Sequence, residues 1–452
     1  MTFSQFSKFV LNFEIPAFFC VIFDFQNKKL RKKTWTKIHV KRMEENQRFR
    51  VIFESDGKDH PFCPHGPMIL YERITEKGKV TRFHACSAFR DKKKCGQSQI
   101  TARSKFLENP SGFCSTCQEL ISDVSKHKAQ NHKIVTKDLD KPLALLQNLE
   151  DSKSQAQYHF SQESLNVILK IVNGQNPDLV ICIGAPTVFL NLKKETDKIL
   201  LDIDHRLSPF IQDFCHYNMF NHHFFDEESK DLYLSKIKSK QNVIVITDPP
   251  FGGRPELIGK TLKMMMEDLG STLKYHFLWI FPYYMEHQIQ KLDMKIQMSD
   301  YQVTYDQNSN YRQGHAQAGK RKLGSPVRIF TNLPLNQIIL HHLPNSYRHC
   351  QTCDIYVSLT NRHCSECLKC TGKNGGLYKH CYECSRCVKH SWKHCDTCDR
   401  CTLPDHECCT ASKKRQKKTW IWKVRLSQEC VEFYERGGHW SWSSINYFSI
   451  WE

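Results

Sequence analysis

The tetrapeptide Asp248-Pro249-Pro250-Phe251 is the stretch of this sequence best equipped for chemistry. The Asp248 carboxylate and the Pro249 carbonyl can accept the two hydrogens of a single amine. An amine attached to an aromatic base is a poor nucleophile, because its lone pair is delocalised into the ring. Two acceptors on one side draw the nitrogen toward tetrahedral geometry and aim the lone pair outward. The prolines lack N–H groups and stiffen the turn, so the acceptors keep their places. Phe251 offers a flat face on which an extruded base can stack. Pro-Pro followed by Gly252-Gly253 would also end a strand with no chemistry attached, so the surrounding elements decide between the two readings.

Those elements favour chemistry. The apolar run Val243–Thr247 leads directly into Asp248 and reads as a strand buried on both faces. An Asp-Pro-Pro-aromatic tetrapeptide at the end of a sheet strand is the signature of amino-methyltransferases. Upstream, Val180-Ile-Cys-Ile-Gly184-Ala185-Pro186 is a strand ending in glycine, where backbone can approach a ligand closely. A single glycine there is a weak signal by itself. Next, Leu200-Leu-Asp202-Ile-Asp204 ends a second strand with acids. A carboxylate in that place accepts hydrogen bonds from cofactor ribose hydroxyls; a solvated acid is the plain alternative. The segment Phe214–His223 suits a loop over the cofactor's adenine ring, with Tyr217, Met219 and Phe220 packing on it and Asn218 at its edge. His222 and His223 read as structural or RNA-contacting, not as metal ligands.

Further short apolar runs, Leu179–Ile183, Ile199–Ile203 and Phe277–Phe281, read as strands. Helical lengths separate them, and Ser161 is placed to cap a helix carrying Leu165, Ile168, Leu169 and Val172. The pattern predicts a doubly wound α/β domain of Rossmann type over about 155–345. Tyr305–Pro326, polar and carrying Arg312, Lys320, Arg321 and Lys322, reads as a mobile basic loop. Residues 136–160 read as a polar linker, 28–42 as a flexible basic arm, and 410–452 as a basic, Trp-rich tail.

The 22 cysteines mostly stand near other Cys or His residues at short spacings. With no secretory leader, and no apolar run that suits a membrane span, such spacings read as zinc sites and not as disulfides. Cys63, His65, Cys86 and Cys95 make one tetrahedral set. Tyr71, Arg73, Phe83, Phe89, Arg90 and Lys92–Lys94 interleave with it, a mixture suited to single-stranded nucleic acid. Cys114, Cys117, His127 and His132 make a shortened two-Cys, two-His finger. From 349 to 409 the pattern His-Cys-x2-Cys-x2-Cys occurs three times, starting at His363, His380 and His394. One register fits all three. Cys350, Cys353, His363 and Cys370 form one site; Cys364, Cys367, His380 and Cys387 the next; Cys381, Cys384, His394 and Cys401 a third. Cys395, Cys398, His406 and Cys408 offer a fourth, for five or six Zn²⁺ ions in the whole chain. Purely structural zinc, stapling segments that lack a core of their own, satisfies the same spacings.

The net charge of +18 favours a polyanionic partner, although a solvated basic surface gives the same number. Together the motifs resemble the zinc-finger CCHC-domain ribosomal RNA N6-adenosine methyltransferase family. The residues carrying the resemblance are Asp248-Pro-Pro-Phe-Gly-Gly, Leu-Leu-Asp202-Ile-Asp204, Phe214-Cys-His-Tyr-Asn-Met-Phe-Asn-His-His-Phe-Phe and Ser325-Pro-Val-Arg-Ile-Phe-Thr-Asn. The order also matches: a GRF-type finger at 60–100, a C2H2 finger at 110–135, the methyltransferase domain, and a DHHC-like array at 349–409. The resemblance implies a class I methyltransferase fold, S-adenosyl-L-methionine as cofactor, and an adenosine of large-subunit ribosomal RNA as substrate. It implies catalysis by Asp248, Pro249, Pro250 and Phe251. Around the cofactor it implies Gln157, Phe160, Gly184, Ala185, Pro186, Asp202, Asp204, Asn218, Met219 and Asp248. It further implies nucleolar and nuclear residence, with cytoplasm as a second compartment, no membrane, and a loop near 305–326 that blocks the substrate entrance until RNA binds. The family ends in a knuckle, Cys-x2-Cys-x4-His-x4-Cys; that spacing does not occur after Cys409, where Cys430 stands alone.

Rival readings keep parts of this pattern. DNA adenine or a protein glutamine amide could present the same amine to Asp248, but the basic charge and the fingers argue against protein. A non-catalytic RNA-binding scaffold would not need an intact Asp248 tetrapeptide. A protein acyltransferase would need Asp-His-His-Cys and membrane helices, and the sequence has neither.

Overall fold

The computed structural model describes residues 49–408, apart from 54–59, 75–77, 90–94, 97–103, 147–158, 271–273, 307–323 and 407. The basic arm at 28–42, the tail at 410–452, Gln157, Arg90, Lys92–Lys94 and most of the basic loop therefore lie outside the described residues. The chain divides into two compact units. The larger runs to Leu359 and includes Lys373–Gly375; the smaller holds Thr360–Gly372 and the chain from Gly376. None of the described helices is long and apolar enough to cross a membrane.

The larger unit opens with a three-stranded antiparallel sheet of β1 (Phe49–Val51), β2 (Ile69–Ile74) and β3 (Val80–Ala85), with β2 central. This first zinc module thus recruits a strand upstream of its expected start at 60. The second module is β4 (Gly112–Cys114), β5 (Glu119–Ile121), α1 (Val124–Ala129) and β6 (Ile134–Val135). The Asp123 carboxylate caps α1 by accepting from the Ser125 N–H at 2.8 Å. The expected polar linker contains a helical turn at Pro142–Leu145. Leu139, Leu143 and Leu145 pack on the main core there, and Leu146 is buried in it. Four leucines in a polar run are enough to anchor it.

The catalytic-type domain has α2 (Gln162–Gln175), β7 (Leu179–Ile183), α3 (Pro186–Asn191), β8 (Lys198–Asp202), β9 (Phe214–Asn218), β10 (His223–Phe224) and α4 (Glu227–Ile237). It continues through β11 (Asn242–Thr247), α5 (Pro255–Leu269), β12 (Lys274–Pro282), β13 (Gln297–Met298) and β14 (Val327–Thr331). Ser161 caps α2, its hydroxyl accepting from the Ser164 N–H at 3.2 Å. The sheet order is β10-β9-β8-β7-β11-β12-β14-β13. Strands β9, β8, β7, β11 and β12 run parallel, and β14 runs against β12. Every residue of β7, β9 and β14 is buried. Side chains alternate between two cores: Val180, Cys182, Ile244 and Ile246 face the one with α2 and α3, while Ile181, Ile183, Val243 and Val245 face the one with α4 and α5. Each such aliphatic contributes roughly 1.5–3 kcal/mol by burial.

Phe214–Asn218, expected as part of a loop, is the buried strand β9. Its alternation is masked by polar residues, His216 and Asn218, that are themselves buried. Tyr217 accordingly belongs to the core on the α5 side, its hydroxyl 2.6 Å from His222 Nδ1. The expected basic loop also starts later than read. Tyr301, Val303 and Tyr305 are fully buried, and Tyr305 bridges Phe160. Within the larger unit, β15 (Tyr347–Cys350) and β16 (Ile355–Ser358) form a hairpin. In the smaller unit three more hairpins follow: β17 (His363–Cys364) with β18 (Lys369–Cys370), β19 (Tyr378–Cys381) with β20 (Arg386–Lys389), and β21 (Lys393–Cys395) with β22 (Arg400–Thr402).

Candidate active site

The strand order reverses between β7 and β11, which leave the sheet in opposite winding directions. In an open α/β sheet the crevice at the carboxyl ends of such strands is where ligands bind. The sequence places Gly184 at the end of β7 and Asp248 at the end of β11. The structure joins them directly: the Asp248 N–H donates to the Ile183 carbonyl at 3.2 Å. Gly184 has φ +62°. A Cβ there would stand 2.6 Å from Met219 Cε and 3.5 Å from the Asp248 carbonyl oxygen. Gly184 is therefore needed both for its left-handed backbone and for its closeness to Met219. Ala185 and Pro186 follow at once into α3, with Pro186 in its first turn.

Asp248 is partly buried at the end of β11. Burial pushes its pKa up to about 8, while a hydrogen bond from the Tyr305 hydroxyl to Oδ1, at 2.9 Å, opposes that shift. Two aromatic rings pack on Tyr305 in turn. Tyr305 stacks on Phe160 with centroids 5.0 Å apart, and Phe251 meets Tyr305 edge-on at 6.1 Å. Gly253 closes the turn, its N–H donating to the Pro250 carbonyl at 2.7 Å, and the Phe220 ring lies against it.

At the end of β8, on the other side of β7, Asp202 is buried and its pKa rises to about 7, mainly through loss of solvent. Its Oδ1 accepts from the Asp204 N–H at 2.9 Å. Asp204 is differently engaged: Arg206 grips it with Nε on Oδ1 at 2.8 Å and Nη2 on Oδ2 at 2.7 Å. Two raised carboxyls at strand ends on either side of β7 are the electrostatic pattern that functional sites favour. Asn218, placed at the cofactor's edge by the sequence, instead turns its amide to the first zinc module. Its Nδ2 donates to the His65 carbonyl and to Ser87 Oγ, both at 2.8 Å, and its Oδ1 accepts from the Phe220 N–H at 3.1 Å. Asn221 adds bonds to the His65 and Pro67 carbonyls at 3.0 Å. Gly66, with φ +94°, lets the zinc turn press against the His223 ring. Neither Tyr305, Arg206 nor Asn221 stood out in the sequence. The alternation Tyr301, Val303, Tyr305 was the available signal for the first.

The zinc expectations meet five groups whose ligand atoms can be followed within one unit. Cys63, His65, Cys86 and Cys95 converge, as do Cys114, Cys117, His127 and His132. In the smaller unit Cys364, Cys367, His380 and Cys387 converge, as do Cys381, Cys384, His394 and Cys401. Cys395 Sγ lies 3.6 Å from Cys408 Sγ, and His406 Nε2 lies 3.5 Å from Cys398 and 3.4 Å from Cys408. A tetrahedral Zn²⁺ with ordinary bond lengths spaces its ligands by about 3.3–3.8 Å. Cys384 Sγ lies 3.7 Å from Cys401 Sγ, within that spacing, and 3.2 Å from His394 Nδ1, just under it. His406 Nδ1 lies 2.7 Å from Thr402 Oγ1 and 2.8 Å from the Leu403 carbonyl, contacts that orient the ring for ligation. Cys350 and Cys353 lie on the β15–β16 hairpin of the larger unit, His363 and Cys370 on the first hairpin of the smaller.

A doubly wound sheet with the strand order above, a glycine and an acid at neighbouring strand ends, and Asp-Pro-Pro-Phe beside them together define an adenine-N6 methyltransferase domain. The family described as probable N6-adenine methyltransferase matches residues 151–332. The rRNA N(6)-adenosine-methyltransferase ZCCHC4 of Homo sapiens is 39% identical, with 77% of this chain and 78% of that protein covered. The protein of that name from Bos taurus is 36% identical over 70% of this chain and 72% of its own. The one from Xenopus tropicalis is 35% identical over 67% and 73%. The chain belongs to this rRNA N(6)-adenosine-methyltransferase family.

Proposed function

We propose that this protein methylates N6 of an adenosine in ribosomal RNA of the large subunit, with S-adenosylmethionine as methyl donor. The observation that carries the reading is Asp248-Pro-Pro-Phe at the end of β11, hydrogen-bonded to the end of β7 where Gly184 takes a left-handed turn under the Met219 side chain. The cradle fits the cofactor: Gly184 permits close backbone approach, and Asp202 offers a buried carboxyl for ribose hydroxyls. Asp204, already held by Arg206, fixes the turn after β8 rather than presenting free oxygens. Met219 covers Gly184. When bound, S-adenosylmethionine supplies a methyl group on positively charged sulfur.

The chain's own residues then act on the base. Phe251 stacks the extruded adenine. Asp248 and the Pro249 carbonyl take the two N6 hydrogens, so the nitrogen lone pair points at the methyl carbon. As the N–C bond forms and the C–S bond breaks, the nitrogen becomes more acidic, and the Asp248 carboxylate is placed to receive the departing proton. The zinc modules and the basic charge favour RNA binding. The same reading places the protein in the nucleus and nucleolus, with cytoplasm second. The test incubates the protein and labelled S-adenosylmethionine with ribosomal RNA from cells lacking it, and resolves the nucleosides. Label in N6-methyladenosine, abolished by Asp248→Ala with RNA binding retained, is the expected result. Bound cofactor without label in any RNA nucleoside would refute it.

A further inference from the structure

The Tyr305 ring is fully buried, and its backbone is tied into the fold on both sides. Tyr305 bridges Phe160, the Ser161 N–H donates to the Thr304 carbonyl at 2.9 Å, and the Asp306 N–H donates to the His159 carbonyl at 3.0 Å. Stacking on Phe160 fixes the ring plane. The hydroxyl therefore has a set position, and from it the phenol donates to Asp248 Oδ1. Two influences act on the ionisation of Asp248: burial raises its pKa and the Tyr305 bond lowers it. Among the described residues, titratable groups on the flanking segments include His159, Asp306, Tyr283 after β12, His276 on β12 and Glu256 on α5. None of them adds to those two influences.

We infer that Tyr305 is a positioning residue for methyl transfer: its phenol holds one oxygen of Asp248 and leaves the other to meet the amine of the target adenine. The inference rests on Asp248 accepting that amine, as proposed above. A buried phenol needs some partner, so a purely packing role would also account for the bond. The two accounts differ in what the hydroxyl does to the carboxyl's charge. If Tyr305 positions and charges Asp248, losing the hydroxyl makes the carboxylate harder to form and lets it swivel. If Tyr305 only packs, losing the hydroxyl leaves the reaction alone.

The test measures single-turnover rates against pH for wild type, Tyr305→Phe, and protein with 3-fluorotyrosine at 305, whose phenol is the stronger donor. In parallel, the Asp248 carboxyl is titrated by carbon NMR without RNA. A charge-assisted hydrogen bond is worth about one pKa unit or more. Tyr305→Phe is expected to move the acid limb of the rate upward by about one unit, a roughly tenfold loss at neutral pH. Cofactor affinity should not change. The fluorotyrosine protein, which keeps the full ring, is expected to move the limb the other way. An active wild type whose limb and Asp248 titration match those of both variants overturns the inference, as does a faster Tyr305→Phe. A wild type inactive on every RNA sinks the function above, and this role with it.

Discussion

Replacing Gly184 with alanine loads the end of β7 in two separable ways. The first is backbone: φ at +62° puts an alanine in the left-handed region, at about 1–2 kcal/mol. The second is contact: the new Cβ stands 2.6 Å from Met219 Cε, inside any tolerated approach. Methionine is flexible, so Met219 moves away and uncovers the crevice, while the Asp248 carbonyl at 3.5 Å need not shift. The backbone part alone should lower the melting temperature by roughly 2–8 °C for a domain of this size. The contact part should appear in binding, since the displaced Met219 no longer covers this strand end and the added methyl takes up the room beside Gly184. Calorimetric titration with S-adenosylhomocysteine is expected to show at least about a tenfold loss, near 1.4 kcal/mol. In Gly184→Ala/Met219→Ala the contact is relieved but the backbone strain stays, so the lower melting temperature should persist. A Gly184→Ala protein that melts and binds as wild type would refute the account of this strand end.

Asp202→Asn should pull stability and affinity in opposite directions. The folded pKa of Asp202, about 7, lies above its ordinary value, so burying the charged form destabilises the apo protein once pH exceeds the unfolded value. That penalty is absent at low pH, grows as pH rises, and is complete above about 7. The asparagine should therefore raise the apo melting temperature at pH 8 and not at pH 4, while weakening cofactor binding roughly 10–100-fold. A thermal scan at both pH values with a calorimetric titration checks both. Metal analysis of the purified protein should find five or six Zn²⁺ per chain, and chelation should erase protease resistance in 360–408 before it affects the α/β domain.

The parts of the fold that were legible in the sequence share one property: their residue types admit a single environment. Val243–Thr247 reads as a buried strand because four of its five residues are branched aliphatics, and the Cys-x2-Cys and His spacings have few uses besides zinc. The acid at the end of β8 was legible as a pair, but not which of the two was engaged. Arg206, two residues on, closes over Asp204, and that contact depends on a turn geometry that no periodicity encodes. The contacts of Asn218 were illegible for a related reason. A polar side chain at the end of a strand offers the same hydrogen bonds to a cofactor or to a neighbouring module. Here the His65 carbonyl, more than 150 positions earlier in the chain, takes them. Tyr305 was hidden by its neighbours, since polar residues on its C-terminal side made the whole stretch read as loop.

The hairpins of the smaller unit have a consequence for how it comes apart. Each of its zinc groups takes a Cys pair from one hairpin and a His and a Cys from further along: Cys364 and Cys367 with His380 and Cys387, then Cys381 and Cys384 with His394 and Cys401. No hairpin owns a metal outright, and each ion is a bond between neighbours. Such an assembly behaves as a nearest-neighbour chain, like a stack of repeats. Removing a middle ion breaks two segments from one another, whereas removing the last, at Cys395, Cys398, His406 and Cys408, only frays an end. Metal loss should therefore proceed inward from that end, and refilling outward from whichever pair of hairpins meets first.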